Sequence, residues 1–176
     1  MTSEEILGVT VLNSWGLAIN RFGKTLSELS DEQLQQQVAP GRNRVFYVLG
    51  HLTAMHDRIF PLLGIGERLH TELDEPYITN PDRVLADPLS ATGLRRAWAE
   101  VNDKLTRAFE GFTLEDWLQK HTAVSDGDFM KDPMRNRLAV VMNRTSYASY
   151  HAGQAALTKS PQHERQVRLR VYDRDL

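Results

Sequence analysis

The apolar residues of this sequence recur about every 3.6 positions in four segments, and that period is typical of amphipathic α-helices rather than of strands. Three of the stripes consist of Leu12, Trp15, Ile19, Phe22 and Leu26; of Val48, Leu52, Met55, Ile59 and Leu62; and of Leu94, Trp98, Val101, Leu105, Ala108 and Phe112. The fourth segment, residues 135–158, contains the stretch SYASYHAGQAAL. The pattern therefore predicts four long helices.

Proline, glycine and capping residues indicate where these helices begin and end. Pro61 and Gly64 are expected to end the second helix, and Ser90 is the expected cap of the third. Residues 64–90 contain three prolines and no lasting period, so we predict a long connection that crosses the structure or helps to line a site. Residues 120–134 are also expected to be irregular.

The C-terminal segment follows a different pattern. In residues 161–176, apolar Val167, Leu169 and Val171 alternate with arginines, a period of two that is typical of a strand. A lone strand needs a neighbour, so we interpret this extension as a short edge strand or an irregular tail. Residues 1–160 are interpreted as one all-α domain, a four-helix bundle with a long crossover connection.

Composition narrows the classes of function. The chain has 176 residues, 41% hydrophobic and 25% charged, which are the proportions of a folded protein. Its 21 Lys and Arg residues against 23 Asp and Glu residues give a net charge of -2, so nucleic acid is not the expected partner. No apolar run approaches the roughly 20 residues that span a bilayer, and the N-terminus lacks the cations of a signal peptide. We therefore expect a cytoplasmic protein without membrane contact.

The sequence contains no cysteine, so any metal site must use nitrogen and oxygen ligands. Among the histidines, His51 lies at the edge of the second apolar stripe and faces inward. It is interpreted either as a buried neutral imidazole with one hydrogen-bond partner or as a metal ligand. His56 is turned about 140° from His51, so one ion cannot easily take both. The loop residue His121 precedes the fourth helix and could fold back, whereas we expect solvated side chains for His70 and His163.

His151 is the other candidate, at the border of the apolar arc of the fourth helix. Tyr147, four residues earlier, and Gln154 continue the same polar edge, so all three lie on nearly one helical face. This face is either the wall of a functional site or a hydrogen-bonded seam between helices.

The stretches LGHLTAMHDRIF and YHAGQ resemble the DinB-like superfamily of four-helix bundles, which includes thiol S-transferases that use mycothiol or bacillithiol. The resemblance covers roughly residues 5–160. In that family a Gly-His pair in the second helix supplies one metal ligand, and a His-x-x-x-His-x-Gly-Gln pattern in the fourth helix supplies two more. Here Gly50-His51 and His151 match this pattern, but Tyr147 stands where the family has its middle histidine.

The resemblance implies a site for a divalent ion (Zn, Ni, Fe or Mn) bound by His51, His151 and Tyr147. Three imidazoles leave an open position on such an ion for water or a thiol. Because a phenol is a good ligand only when ionised, the tyrosine should weaken binding. The ion could ionise the phenol, take Asp57 or His121 instead, or be absent, in which case the three side chains could hydrogen-bond across the helices.

Three functions follow from these readings. The first is a metal-dependent thiol S-transferase or hydrolase acting on a small molecule, with a low-molecular-weight thiol as co-substrate and with Tyr147 and His151 in catalytic roles. The second is a metal-free bundle that binds a small molecule or a protein. The third is an acid–base enzyme in which Tyr147 and His151 exchange protons with the substrate. A homodimer is expected because helix faces of such bundles often pair.

Overall fold

Eight α-helices follow one another in the computed structural model, which describes residues 1–159. They are α1 (Ser3–Ser27), α2 (Asp31–Leu34), α3 (Val45–Asp57), α4 (Ile59–Leu63), α5 (Ala91–Glu110), α6 (Leu114–Leu118), α7 (Asp126–Lys131) and α8 (Arg137–Ala156). Most of them begin at a residue whose side-chain oxygen accepts a hydrogen bond from a backbone N–H of the first turn, which satisfies a donor that the helix itself leaves free. These capping residues are Thr2, Ser30, Ser90, Thr113, Ser125 and Asn136.

The four long helices α1, α3, α5 and α8 form a bundle. Helix α1 packs along α8 and α3 packs along α5, while smaller contacts between α1 and α5 and between α3 and α8 close the ring. The predicted all-α bundle is therefore confirmed, and residues 1–159 contain no β-strand. The predicted strand around Val167–Val171 and the side chain of His163 lie outside the described residues.

Large apolar side chains fill the interior in two clusters. One cluster joins the N-terminal half of α3 to α1 and α5, and the other lies at the opposite end beneath α4 and α6. Their largest fully buried members are Trp15, Tyr77, Phe22, Phe60 and Phe109. Burying such side chains stabilises the fold by about 1.5–3 kcal/mol each. The apolar stripes contribute Trp15 and Phe22 to this set, whereas Phe60, Tyr77 and Phe109 lie outside them.

Two predictions about the helices were wrong. The second helix is not continuous, because α3 ends at Asp57 and α4 begins at Ile59. Pro61 explains the break, since it has no N–H to donate to the carbonyl of Asp57. Gly64 ends α4 with a φ of 66°, the left-handed conformation that glycine adopts without strain. In addition, residues 120–134 are not wholly irregular, because Ser125 caps the short helix α7.

The connection of residues 64–90 runs back along α3 and is fixed at both ends of that helix. It contains a 3₁₀ turn at Thr71–Leu73 and a π-helical turn at Glu75–Thr79. At the end of α3, the buried carboxylate of Asp57 accepts hydrogen bonds from Arg68 Nε at 3.0 Å and from the N–H groups of Leu69 and His70. The connection is therefore a packed part of the fold.

At the start of α3, the buried guanidinium of Arg44 holds the other end of the connection. It donates to Asp82 at 2.6 Å, to Asp87 at 2.9 Å and to Gln35 at 2.6 Å. Tyr77 also donates its hydroxyl hydrogen to Asp87 at 3.0 Å. A single arginine thus joins α2, α3 and the connection.

His56 lies fully buried between Trp15 and Trp98, with ring centroids 5.1 Å from each. Its Nδ1 is 2.7 Å from Asn102 Oδ1, and the amide of Asn102 donates in turn to the Trp98 carbonyl. The amide oxygen can only accept, so Nδ1 carries the proton. Burial lowers the pKa of this imidazole to about 4, although the bond to Asn102 acts in the opposite direction.

Replacing Arg44 with Gln should lower the free energy of unfolding by about 3–5 kcal/mol, because it leaves two carboxylates without their buried partner. Urea denaturation followed by circular dichroism measures this change. Lys131→Gln, which removes the cation of an exposed pair with Asp128, is the control and should change stability by less than about 1 kcal/mol. Equal effects of the two substitutions would contradict the structural role given to Arg44.

The stability of the protein should fall as the pH drops from about 6.5 to about 4. The unfolded chain protonates His56 near its reference pKa of about 6.5, whereas the folded protein resists protonation until about 4, so acid favours unfolding by about 3 kcal/mol. Comparing urea denaturation of wild type and His56→Gln across this range isolates the contribution. An identical pH dependence in both proteins would show that His56 does not carry it.

Candidate functional site

Helices α3 and α8 bring His51, Tyr147 and His151 together at one point between them. The Nε2 atom of His51 is 3.0 Å from the Tyr147 hydroxyl oxygen. The ring centroids of Tyr147 and His151 are 4.5 Å apart, and those of His51 and His151 are 5.9 Å apart. The three rings that the sequence places on inward faces therefore form one cluster, which we call the imidazole–phenol cluster.

Both imidazoles of the cluster have their Nδ1 atoms held by an oxygen acceptor. His51 Nδ1 is 2.8 Å from the backbone carbonyl of Tyr77, and His151 Nδ1 is 2.7 Å from Gln154 Oε1. The amide nitrogen of Gln154 donates to the Tyr150 hydroxyl at 2.9 Å. Because both partners can only accept, each neutral imidazole carries its proton on Nδ1 and has a lone pair on Nε2.

The two Nε2 atoms differ in what they contact. His51 Nε2 accepts the hydroxyl hydrogen of Tyr147, since the lone pair cannot donate. His151 Nε2 is buried and has no hydrogen-bond partner among residues 1–159. This lone pair is available to a ligand, although the Nε2 atom of His56 in the core is unpartnered as well.

Burial keeps the two imidazoles neutral. Burial lowers the pKa of His51, while the hydrogen bond to the Tyr77 carbonyl raises it. The positive charges of Arg144 and Arg58 lower this pKa further. Burial likewise lowers the pKa of His151. The hydrogen bond to Gln154 raises this pKa, and the electrostatic effect of His51 lowers it. A neutral imidazole can bind a metal ion or accept a proton through its Nε2 lone pair, which in His51 requires that Tyr147 release its hydrogen bond.

The position of His51 depends on the glycine before it. The ring of Tyr77 packs directly on the backbone of Gly50, so that a Cβ atom there would lie only 2.6 Å from the ring. This close approach carries the Tyr77 carbonyl to His51 Nδ1. The Gly-His pair is thus a structural unit in which the glycine admits the residue that orients the histidine.

Several other candidates lie outside the cluster. Asp57 is fully occupied by Arg68 and two backbone N–H groups, so the structure does not support it as a replacement ligand. His121 lines a separate cavity with Arg144. His70 is not solvated as expected, because its side chain is only 17% exposed and lies between Glu72 and Glu100. Within residues 1–159, no group of three or more His, Cys, Asp or Glu side chains is arranged to hold a metal ion.

Two residues near the cluster escaped the sequence analysis. Tyr77 acts through its backbone carbonyl, which no side-chain pattern can indicate. Arg144 precedes Tyr147 by one helical turn. The sequence could have indicated its position, because a helical wheel places Arg144 about 20° from His151 on the inward face.

Comparison with known proteins agrees with this architecture. The DinB superfamily pattern matches residues 15–154, and the chain belongs to this superfamily. The fold is similar to that of a solved structure described as the conserved protein of a locus from Enterococcus faecalis, with a TM-score of 0.59 and 17% identity over 90% of this chain and 95% of that one. At this identity the likeness shows the fold alone. No curated protein matches the sequence.

Across the described residues, none of the helices combines the length and the apolar character that crossing a lipid bilayer requires. The roles of His51, Tyr147 and His151 as metal ligands or catalysts stay predictions, as does the expected homodimer.

Replacing Gly50 with Ala should lower the free energy of unfolding by about 1–3 kcal/mol, because the new methyl group overlaps the buried Tyr77 ring. It should also displace the Tyr77 carbonyl from His51. Gly16→Ala is the matched control, since Gly16 lies inside α1 with open space around it, and this substitution should raise stability by about 0.5–1 kcal/mol. Thermal unfolding of both variants measures the difference, and a stabilising Gly50→Ala would contradict the close packing.

Proposed function

We propose that this protein is a metal-dependent enzyme of the DinB superfamily that acts on a small molecule, as a thiol S-transferase or a hydrolase. The observation that carries the proposal is the pair of Nε2 lone pairs, both oriented by oxygen acceptors on Nδ1. Metal-binding histidines characteristically have this arrangement, in which a carbonyl or carboxylate on the second nitrogen fixes the tautomer.

The residues present fit a divalent ion in their donor chemistry. His51 and His151 would bind it through Nε2, and the Tyr147 oxygen would complete a set of two nitrogens and one oxygen, which suits zinc, nickel, iron or manganese. The unpartnered Nε2 of His151 supports this assignment, since an ion would satisfy it. When bound, the ion supplies positive charge that favours the deprotonated form of a thiol or a water molecule.

The chain's own groups have separate tasks in this proposal. The Tyr77 carbonyl and the Gln154 amide hold the two imidazoles in place. Tyr147 has one of two tasks: it either completes the ligand set as a phenolate, or it keeps its hydroxyl hydrogen, directed at His51 in the described structure, and donates that proton to the leaving atom of the substrate. Since the protein has no cysteine, the reacting thiol would come from a low-molecular-weight co-substrate.

A metal-free binding protein is the second candidate, and one observation favours it. His51 Nε2 already accepts a hydrogen bond from Tyr147, and the positive charges of Arg144 and Arg58 act on this imidazole. Cations near the cluster disfavour a second cation and favour an anionic ligand. The two candidates therefore differ in the sign of the charge that the site attracts.

Metal analysis of protein purified without a histidine tag or a nickel column separates the candidates. The proposal predicts about one zinc, nickel, iron or manganese ion per chain, either as purified or after metal is added. Bound metal should also raise the stability, by about 2.7 kcal/mol when the free ion exceeds its dissociation constant a hundredfold. His51→Ala and His151→Ala should abolish both effects, whereas the control His70→Gln should retain them.

Tyr147→His restores the third imidazole and should lower the dissociation constant of the metal by about tenfold or more, since a neutral imidazole binds without first losing a proton. Isothermal titration with zinc measures the change. An affinity equal to that of wild type would mean that residue 147 does not contact the ion. If wild type binds no metal under any condition, the metal-free candidate replaces the proposal.

A further inference from the structure

A cavity of about 250 Å³ lies beside the first two turns of α8. Its walls include Leu62, His121, Arg135, Asn136, Asn143 and Arg144. The volume corresponds to roughly eight water molecules, so it suits a small molecule or one end of a larger one. The lining contains two arginines, one histidine and no carboxylate. Its charged side chains are therefore cations.

Arg144 is the unusual member of this lining. The other arginines in residues 1–159 whose side chains are not exposed each lie within ion-pair distance of a carboxylate; they are Arg44, Arg58, Arg68, Arg95 and Arg137. Arg144 is half-buried, its Nε is buried without a hydrogen-bond partner, and no carboxylate of the described residues pairs with it. Burial lowers the pKa of this guanidinium because desolvation disfavours its charge.

The place of Arg144 connects the cavity to the imidazole–phenol cluster. It lies one helical turn before Tyr147 on the same face of α8, and its charge acts on His51 from within electrostatic range. An anionic group paired with Arg144 would therefore lie about one helical turn from Tyr147.

We propose that the cavity binds a small organic anion, a carboxylate or a phosphate, whose oxygens pair with the guanidinium of Arg144. The planar guanidinium offers two parallel donors that match such an oxyanion. Among residues 1–159, this half-buried cation has no carboxylate partner, and it lines a cavity that can admit a ligand. That this ligand is the substrate of the cluster rests on the proposed function, whereas the binding itself does not.

Nuclear magnetic resonance titration of the full-length, metal-free protein tests the binding. The probes are butyrate, its neutral analogue butyramide, and inorganic phosphate, each at constant ionic strength, and the signals are the Arg144 Nε–Hε group and the Asn143 amide. Saturable shifts are expected with butyrate or with phosphate and not with butyramide. The anion that binds at the lower concentration assigns the class. Absence of a saturable shift with both anions would overturn the proposal.

Two variants locate the binding at Arg144. Arg144→Gln should raise the dissociation constant of the better anion by about tenfold or more, because a charge-assisted hydrogen bond is lost, and Arg144→Lys should recover part of the affinity. The control Arg96→Gln removes an exposed arginine on α5 and should leave the constant unchanged. Equal affinity in Arg144→Gln and wild type would overturn the assignment.

Stability separates a ligand-binding role from a structural one. In anion-poor buffer, Arg144→Gln should raise the melting temperature, since it removes a half-buried charge without a partner, whereas an arginine that supports the fold would lower it when removed. The metal content of Arg144→Gln should be no lower than that of wild type, because the substitution removes a positive charge near the cluster. Failure of anion binding therefore leaves the metal proposal standing, and a protein without metal leaves the anion proposal standing.

Discussion

The site depends on one close contact, between the aromatic ring of Tyr77 and the backbone of Gly50. Only a residue without Cβ lets the ring lie on the helix, and the ring brings with it the carbonyl that accepts the Nδ1 hydrogen of His51. That single hydrogen bond decides which nitrogen of His51 carries the proton and hence which atom faces α8. The packing of the Tyr77 ring on the backbone of Gly50 therefore determines which ring nitrogen of His51 carries the proton.

Ion pairs hold the connection in the position that this contact requires. Arg44 fixes it at the start of α3 and Asp57 fixes it at the end, and both groups are buried with their hydrogen bonds satisfied. An intact buried ion pair adds little net stability, but removing one partner leaves an unpaired buried charge and destabilises the fold strongly. Such pairs therefore serve mainly to specify one arrangement of the chain. Arg144 differs from these groups, because among residues 1–159 the other arginines that are not exposed pair with carboxylates, whereas Arg144 has no such partner and lines a cavity.

Much of the fold could be predicted from the sequence, because helices with apolar stripes bury one face whatever the details of the loops. The break at Arg58 was missed since the stripe continues across it, and only the missing N–H of Pro61 interrupts the backbone ladder. The inward positions of His51 and His151 followed from helical geometry alone. The connection could not be predicted in the same way, because its place is set by buried ion pairs and backbone hydrogen bonds that have no periodic pattern. Tyr77 therefore became visible only in three dimensions.

The tautomers of His51 and His151 test the central claim most directly, since the proposed metal site uses the Nε2 lone pairs of both residues. Long-range ¹H–¹⁵N correlation spectra of the metal-free protein at neutral pH distinguish protonation on Nδ1 from protonation on Nε2. The account predicts that both residues are neutral with the proton on Nδ1, held there by Tyr77 and Gln154. A proton on Nε2 of either residue would contradict it, because that nitrogen could then neither bind an ion nor accept the hydrogen of Tyr147.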